Sequence, residues 1–312
     1  MKSKKMGKDV LLFKGIGYPL IAIFGIICVI PFLLIIASSF TSENYIIKNG
    51  YVLWPKDFSL AAYQLIFQNP GKILKAYLVT IFVTVVGTAV SVFINAMTGY
   101  VLQRKDFKWR NIFSFYFFFT TLFSGGLVPW YILCVKYLHL KNTIWALIVP
   151  TLVSVWHIIL VKGFMGGIPM EVLGAVSFWK GFVIPIKITE SAKIDGAGDF
   201  KIFVKLILPL SKPVVATIGL FTALTYWNDW YMCMLFIDKN DLMNLQYLLY
   251  QLMGSIKALR EIASQTTVSV SSMPIESTKM ALTVVATGPI ILLYPFVQKY
   301  FVKGITLGAV KG

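Results

Sequence analysis

The apolar run "GYPLIAIFGIICVIPFLLIIASSF", residues 17–40, decides the fold class of this chain. It contains no charged residue, and a bilayer core of about 30 Å needs about 20 mostly apolar residues in a helix. Five further runs meet the same criterion. They are 76–102, 111–135, 143–161, 206–236 and 280–298. The sequence therefore predicts an all-α, polytopic membrane protein with six transmembrane helices.

The composition agrees with a membrane protein. The chain is 57% hydrophobic and only 13% charged, with a mean hydropathy of +0.76, whereas a soluble domain carries about a quarter charged residues. The first run is longer than the about 7–15 apolar residues of a signal peptide, which favours an uncleaved span. We expect one membrane domain, 17–303, between an amino-terminal segment, 1–16, and a carboxy-terminal tail, 304–312.

The positive charge of the chain is distributed according to topology. The net charge is +16, and most of the 29 Lys and Arg residues lie in 1–14, 104–110, 162–212 and beyond 298. Basic residues accumulate in cytoplasmic loops of membrane proteins. This distribution predicts that both termini are cytoplasmic, and it argues against a nucleic-acid-binding face.

No enzyme signature is found in the sequence. The phosphate-binding loop G-x-x-x-x-G-K-[ST], H-E-x-x-H, G-x-S-x-G and C-x-x-C are all absent. The cysteines Cys28, Cys134 and Cys233 lack metal-ligand spacing. His157 falls within an apolar run, where a packed neutral imidazole is favoured over a proton relay because no acidic residue lies at helical spacing. We predict no catalytic residue, metal site or cofactor in this chain.

A polar segment separates the fourth and fifth runs: "ESAKIDGAGDFKIFVKLILP", residues 190–209. Gly196 and Gly198 favour a turn, and Pro209 and Pro213 predict a bend where the fifth span begins. Apolar residues follow helical spacing at Ile194, Ala197, Phe200, Phe203, Val204 and Ile207. The pattern predicts a short helix, a glycine turn and a second short helix on the cytoplasmic face.

The pattern E-S-A-x-x-D-G-A followed by I-L-P resembles the EAA motif of bacterial ABC importer permeases. In that family the loop is a coupling helix that docks into a groove of the ATPase subunit. The resemblance implies a coupling segment at about 186–203. The positions that match the motif are Glu190, Ala192, Asp195, Gly196, Ala197 and Pro209.

The segments "LFSGGLVPWYILCVKYLHLKNTIWALIVP", "YWNDWY" and "LLYPFVQKYFVKGITLGAVKG" resemble maltose-type sugar permeases with the type I ABC importer fold, and within them the LplC/YtcP group of aldouronate or oligosaccharide permeases. The resemblance implies a location in the bacterial cell membrane and four kinds of partner: a homologous second permease, an ABC ATPase dimer, an extracytoplasmic solute-binding lipoprotein and an oligosaccharide substrate. ATP and magnesium are expected on the ATPase. Lys311 and Gly312 would reach the ATPase interface.

One feature departs from the family pattern. The motif's I-P-x-E start occurs twice, as "IPMEVLGAV" at 168–176 and as "IPIKITESA" at 184–192. The first copy has Gly174 where the motif has Glu, and the second has Lys187 at the earlier acidic position. We assign docking to the second copy because D-G-A follows it.

Two stretches within the apolar runs are candidates for the solute pathway. Gly125, Gly126 and Pro129 interrupt the third run and indicate either a cavity wall or close helix packing by small residues. Near the end of the fifth run stand Trp227, Asn228, Asp229 and Trp230. Aromatic faces beside amide and carboxylate groups suit sugar recognition, and the alternative is an interfacial aromatic belt.

The sequence thus favours the permease subunit of an ATP-driven oligosaccharide importer. An ATP-independent carrier would need intramembrane charges to couple an ion, and Asp229 is the only acidic residue within the predicted spans. An ABC permease for a non-sugar solute would share the docking segment. A membrane scaffold would not need that segment.

Overall fold

The structure, a computed structural model, describes residues 8–166, 193, 196–265 and 274–308. These residues form helices and connecting loops, with no β-strand among them beyond one isolated bridge between Thr41 and Phe58. The helices are α1 Lys8–Ser39, α2 Glu43–Asn49, α3 Ala61–Ile66, α4 Pro70–Gln103, α5 Arg110–Leu122, α6 Leu127–Ile132, α7 Val155–Gly166, α8 Asp199–Leu210, α9 Lys212–Asn228, α10 Tyr231–Phe236, α11 Leu245–Gln265 and α12 Ile275–Gly308. The predicted all-α class is confirmed.

Several shorter turns complete this order. A π-helical turn, Leu133–Tyr137, follows α6, and a second one, Phe203–Ile207, lies within α8. Three 3-10 turns occupy Ile144–Leu147, Val149–Thr151 and Asn240–Leu242.

Among the described residues, two helices are long and apolar enough to cross a membrane, Phe13–Ser39 and Pro70–Gln103. Three bent helix pairs raise the number to as many as five if each pair is one span. They are Arg110–Leu122 with Leu127–Tyr137, Ile144–Thr151 with Val155–Met165, and Asp199–Leu210 with Lys212–Asn228. The sixth predicted run, 280–298, lies inside α12, and the six-span count stays a prediction.

Contacts divide the chain into two compact units, Met1–Pro70 with Leu249–Ile290, and Gly71–Leu248 with Ile291–Gly312. In the first unit, Glu43 caps the start of α12. Its carboxylate accepts hydrogen bonds from the backbone N–H groups of Glu276 and Ser277 at 2.9 and 3.0 Å. A carboxylate is stabilising there because the first N–H groups of a helix have no partner within the helix. The Tyr51 hydroxyl donates to Glu276 at 2.9 Å.

The second unit is organised around α4, a 34-residue helix. Small residues of α4 allow neighbouring helices to approach closely. A Cβ atom added at Gly87 would lie 2.7 Å from the ring of Tyr226, and one added at Gly99 would lie 2.7 Å from Cγ1 of Val161. Glycine is therefore required at both positions by contact with α9 and α7 respectively, as is common where membrane helices pack.

Candidate coupling segment and solute pathway

The chain turns sharply at the start of α8. Gly196 has a φ of +76°, a left-handed conformation that glycine adopts without strain, and its N–H donates to the carbonyl of Lys193 at 3.0 Å. Gly198 is the N-cap of α8, and its carbonyl accepts from Ile202 at 3.0 Å. The predicted glycine turn is present between Lys193 and Asp199.

A bend of 84° separates α8 from α9. Ser211 lies at this corner, where its N–H donates to the carbonyl of Ile207 at 2.9 Å and its carbonyl accepts from Val215 at 3.0 Å. Pro213 fits the first turn of α9 because its missing N–H would have no helical partner there. The predicted bend at the start of the fifth span is therefore present, one turn after the π-helical stretch of α8.

The apolar stripe predicted for this segment is partly wrong. Phe203 and Ile207 are buried as expected, but Phe200 is 65% exposed and Val204 is 36% exposed, while Ile202 is buried instead. The π-helical turn at Phe203–Ile207 accounts for Val204, since a π turn takes about one residue more than an α turn and so changes the direction of the side chains within and after it. Phe200 precedes that turn, and although exposed its ring meets that of Phe93 edge-on, with centroids 6.4 Å apart.

The buried side chains of α8 pack against α4 and α7. Phe203 stacks on Tyr100 with ring centroids 5.6 Å apart and meets Phe93 edge-on at 5.7 Å. The cluster also contains Ala96, Val161, Met165, Ile202, Ile207, Val214 and Ile218. The segment after the glycine turn therefore packs against the carboxyl-terminal part of α4.

Four charged side chains tie both flanks of the glycine turn to the loop after α4. Arg104 donates from Nε to Asp106 at 2.9 Å and lies 2.8 Å from Asp199 through Nη1. Lys193 reaches Asp106 at 2.8 Å and Asp199 at 3.6 Å. We call these residues, Arg104, Asp106, Lys193 and Asp199, the charge clamp.

The electrostatics of the charge clamp favour its fully ionised state. Hydrogen bonds from Arg104 and then Lys193 hold the pKa of Asp106 well below its usual range. The hydrogen bond with Asp106 raises the pKa of Lys193 and, with that to Asp199, the pKa of Arg104. Arg104, Asp106 and Lys193 are each stabilised in the charged form by an opposite charge, so these three groups stay ionised across the physiological pH range.

Five of the predicted ATPase-coupling residues, Glu190, Ala192, Asp195, Lys311 and Gly312, lie outside the described residues. The structure places Gly196 in the turn, Ala197 directly after it and Pro209 in the last turn of α8. All three precede the 84° bend in the chain.

The third predicted span is broken at its glycines. The chain leaves α5 at Phe123, passes through Gly126 with a φ of +85°, and enters α6 at an angle of 116° to α5. A Cβ atom added at Gly125 or Gly126 would meet nothing within 4 Å. Packing within the described part of this chain therefore does not explain these two glycines.

An open cavity of about 520 Å³ lies at this break. Its walls are Ser124, Gly125, Gly126, Leu127, Pro129, Trp130, Leu133 and Tyr231. The predicted pathway residues Gly125, Gly126 and Pro129 are thus gathered on one surface with the aromatic rings of Trp130 and Tyr231. Neither Trp130 nor Tyr231 was predicted from the sequence as a pathway residue, although each is adjacent in the chain to a predicted one.

The second predicted pathway group occupies the break between α9 and α10. The Asp229 carboxylate accepts from the N–H of Met232 at 3.1 Å and so caps α10, and the Asn228 amide donates to the carbonyl of Leu224 at 3.0 Å. Trp227 is 4% exposed, whereas Trp230 is 38% exposed. The group is therefore split, with Trp227 buried in the interior and Trp230 partly exposed beside Tyr231 of the cavity.

Sequence reasoning missed a buried polar centre on α4. The Asn95 amide group donates to the carbonyls of Ser91 at 2.7 Å and Leu152 at 2.9 Å, and its oxygen accepts from the N–H of Ser154 at 2.9 Å. These bonds satisfy the backbone freed where Val149–Thr151 ends and α7 begins. A lone asparagine within an apolar run was the available signal.

His157, also in α7, faces α9. Its ring nitrogen Nδ1 lies 3.4 Å from the Thr222 hydroxyl, and both side chains are buried. The imidazole ring is thus packed in the interior with one hydroxyl as its partner. No group of three or more metal-ligating side chains occurs in the described part of the chain.

The described residues form apolar helices long enough to cross a membrane, a polar segment joined to one of them through a bend, and a cavity at the break between α5 and α6. This combination is typical of a membrane transport subunit. Comparisons with known proteins give the family. The chain is 41% identical over 301 residues to the polygalacturonan/rhamnogalacturonan transport system permease protein YtcP of Bacillus subtilis, covering 96% of this chain and 99% of that one. It is 39% identical to protein LplC of the same organism, covering 92% and 91%. The chain therefore belongs to the family of ABC-transporter permeases for sugars.

A solved structure supports the fold. A bacterial ABC transporter involved in the import of the acidic polysaccharide alginate has a chain that matches with a TM-score of 0.73 and 25% identity, covering 96% of this chain and all of that chain. An arabinooligosaccharide permease, AraQ of Halalkalibacterium halodurans, is 28% identical over 95% of both chains. No family model matches the chain.

Proposed function

We propose that this chain is the permease subunit of an ATP-driven ABC importer for oligosaccharides in the bacterial cell membrane. It would pair with a homologous second permease, dock on an ATPase dimer that binds ATP and magnesium, and receive sugar from an extracytoplasmic binding lipoprotein. With both termini cytoplasmic, the segment at about 186–203 faces the ATPase.

The observation that carries the proposal is the path of the chain from the glycine turn to α9. The turn at Gly196 is exposed, it is tied to the end of α4, and it leads through an 84° bend into an apolar helix. A displacement of this segment by a partner would therefore be passed to two membrane helices. Such a connection supports ATPase coupling and would serve no purpose in an ATP-independent carrier.

The substrate class is supported by the cavity and by the relatives. Rings at Trp130 and Tyr231 beside freed backbone at Gly125 and Gly126 suit a sugar, because apolar sugar faces stack on aromatic rings while hydroxyls take polar partners. Two of the relatives reported above, YtcP and AraQ, carry polysaccharide or oligosaccharide names.

Gly196→Arg is expected to lower the amount of ATPase that co-purifies with the permease pair by about five-fold or more, since 1 kcal/mol of lost docking energy already gives that factor. The side chain would project into space that is open in this chain and that the ATPase would fill. The measurement is co-purification in detergent with the second permease and a sugar-importer ATPase.

Gly50→Arg is the matched control, because Gly50 has a φ of +80° and equally open surroundings but lies outside the coupling segment. It places a side chain at a similar positive φ and should leave ATPase retention unchanged. Absence of ATPase from the wild-type complex, with every candidate ATPase, would refute the importer proposal.

Tyr231→Ala is expected to raise the substrate concentration needed for half-maximal import by roughly three- to ten-fold, the effect of losing one aromatic contact of about 0.5–1.5 kcal/mol. Uptake of labelled galacturonan, arabinan and malto-oligosaccharides into vesicles measures it and ranks the substrates. Tyr137→Ala, an exposed tyrosine outside the cavity, should leave uptake unchanged. Equal uptake by the Tyr231→Ala and Tyr137→Ala variants would show that the cavity is not part of the solute pathway.

A further inference from the structure

We infer that Arg104 is a positioning residue for energy coupling. Through the charge clamp it transmits displacement of the coupling segment, at about 186–203, to α4. This inference rests on the proposed function. It assigns a role to the basic loop after α4, for which the sequence indicated only topology.

The geometry places Arg104 at the centre of the clamp. The side chain of Arg104 is 17% exposed, and its guanidinium bonds to two carboxylates at once, Asp106 in its own loop and Asp199 at the start of α8. A planar guanidinium with several donors holds two such partners in fixed directions, which a lysine ammonium does not. The same group lies 5.8 Å from the ring centroid of Tyr100, which is itself stacked on Phe203.

The clamp grips the glycine turn from both sides. Lys193 precedes the turn and Asp199 follows it, and both lie within ion-pair distance of clamp partners. A turn held at one end could swing without moving the membrane helices. Held at both ends, the turn moves together with the carboxyl end of α4.

From that end, α4 extends to contacts deep in the unit. A 34-residue helix is about 50 Å long, and its residues contact three other segments along its length. Asn95 holds the break before α7, the Gly87 backbone lies against Tyr226 of α9, and the Thr80 hydroxyl accepts from the N–H of Leu245 at 2.8 Å. Displacement of α4 thus reaches α7, α9 and the start of α11.

The test compares ATP hydrolysis and import in the same vesicles, reconstituted with both permeases, the ATPase and the binding protein. Arg104→Gln is expected to retain the ATPase and to hydrolyse ATP, but to import about ten-fold less sugar per ATP hydrolysed, a change equivalent to about 1.4 kcal/mol of coupling. Lys108→Gln removes one positive charge from the same loop at an exposed position and should behave as wild type.

A double-mutant cycle separates coupling from general damage. Asp199→Asn changes an exposed carboxylate, so that variant should fold, and it should also lower import per ATP. If the two residues act as one unit, the Arg104→Gln/Asp199→Asn variant is no worse than Arg104→Gln alone. Arg104→Lys should restore part of the loss.

Three results would overturn the inference: an unchanged import-to-ATP ratio in Arg104→Gln, multiplicative effects in the double variant, or loss of ATPase retention in Arg104→Gln, which would make Arg104 a docking residue. The first two leave the proposed function intact. Absence of ATPase from the wild-type complex would instead refute the proposed function itself.

Discussion

Replacing Asn95 with leucine is expected to lower the free energy of unfolding by about 3 kcal/mol and to reduce import to background. The side chain is 0% exposed and makes hydrogen bonds to α4 and to the segment before α7. Leucine has the same number and branching of side-chain heavy atoms, so no cavity is left and the loss reports mainly the hydrogen bonds. A buried donor left without a partner costs about 1–3 kcal/mol, in addition to the lost bonds.

The effect should be large because the partner groups belong to backbone at a helix break. The N–H of Ser154 loses its only bond to a side chain of α4, whereas the carbonyl of Leu152 keeps the Ser91 hydroxyl at 2.7 Å. In hydrocarbon an unsatisfied backbone group finds no water. We expect the break to rearrange and to pull α7 out of register with α4.

Thr98→Val provides the control for Asn95→Leu. Thr98 lies on the same helix, and its hydroxyl bonds only within that helix, to the carbonyl of Ile94 at 2.8 Å. Its removal should cost less than about 0.6 kcal/mol, the average for hydrogen bonds between helices in a membrane bundle, because this bond stays within one helix. Denaturation by dodecyl sulfate in mixed micelles gives both values, and equal stability of the two variants would contradict the importance of Asn95.

The position of α4 could be predicted from the sequence because it depends on the apolar run. The run at 76–102 is observed within Pro70–Gln103, although the helix begins six residues earlier. Hydropathy also located the third, fourth and fifth runs but not the angles of their breaks, 116°, 48° and 84°; glycines and prolines indicated an interruption in the third run and a bend at the start of the fifth. Hydropathy records whether a segment avoids water, and it carries no information on the direction of a helix after an interruption.

The glycines show why residue type alone left the candidate site open. Gly99 of α4 is in close contact with Val161, whereas a Cβ atom added at Gly125 would lie more than 4 Å from every described group other than its chain neighbours, and Gly125 lines a cavity. Both roles favour glycine, so the sequence could only offer close packing and a cavity wall as alternatives. The contacts of each glycine decide between the two roles.

The acidic and basic residues show a second limit. The sequence placed Arg104 on the cytoplasmic side by the distribution of charge, and Asp229 near the end of a span. Their partners, Asp199 and the N–H of Met232, depend on how the chain folds back at the glycine turn and at the break before α10. A pairing across 95 positions, as between Arg104 and Asp199, has no local signature.

Replacing Gly99 with alanine is expected to lower the free energy of unfolding by about 2–3 kcal/mol, although alanine is ordinarily the better helix residue by about 1 kcal/mol. The new Cβ would lie 2.7 and 2.8 Å from two side-chain atoms of Val161 and 3.1 Å from the carbonyl oxygen of Ile158. One of these neighbours is backbone and another is the Cβ of a branched residue, so neither can turn aside. Helices α4 and α7 must separate, at a cost typical of overpacking.

Gly219→Ala is the matched control, because a Cβ there would lie 3.8 Å from Val92, an ordinary contact across α9 and α4. It should leave stability unchanged or raise it by about 0.5–1 kcal/mol. Val161→Gly combined with Gly99→Ala should lose less stability than the sum of the two single variants, since two of the three close contacts disappear. If Gly99→Ala and Gly219→Ala unfold at the same dodecyl sulfate concentration, α4 and α7 are not in the contact described. In that case motion of α4 could reach α7 only through the hydrogen bonds of Asn95 and through α8, on which Val161 and Met165 also pack.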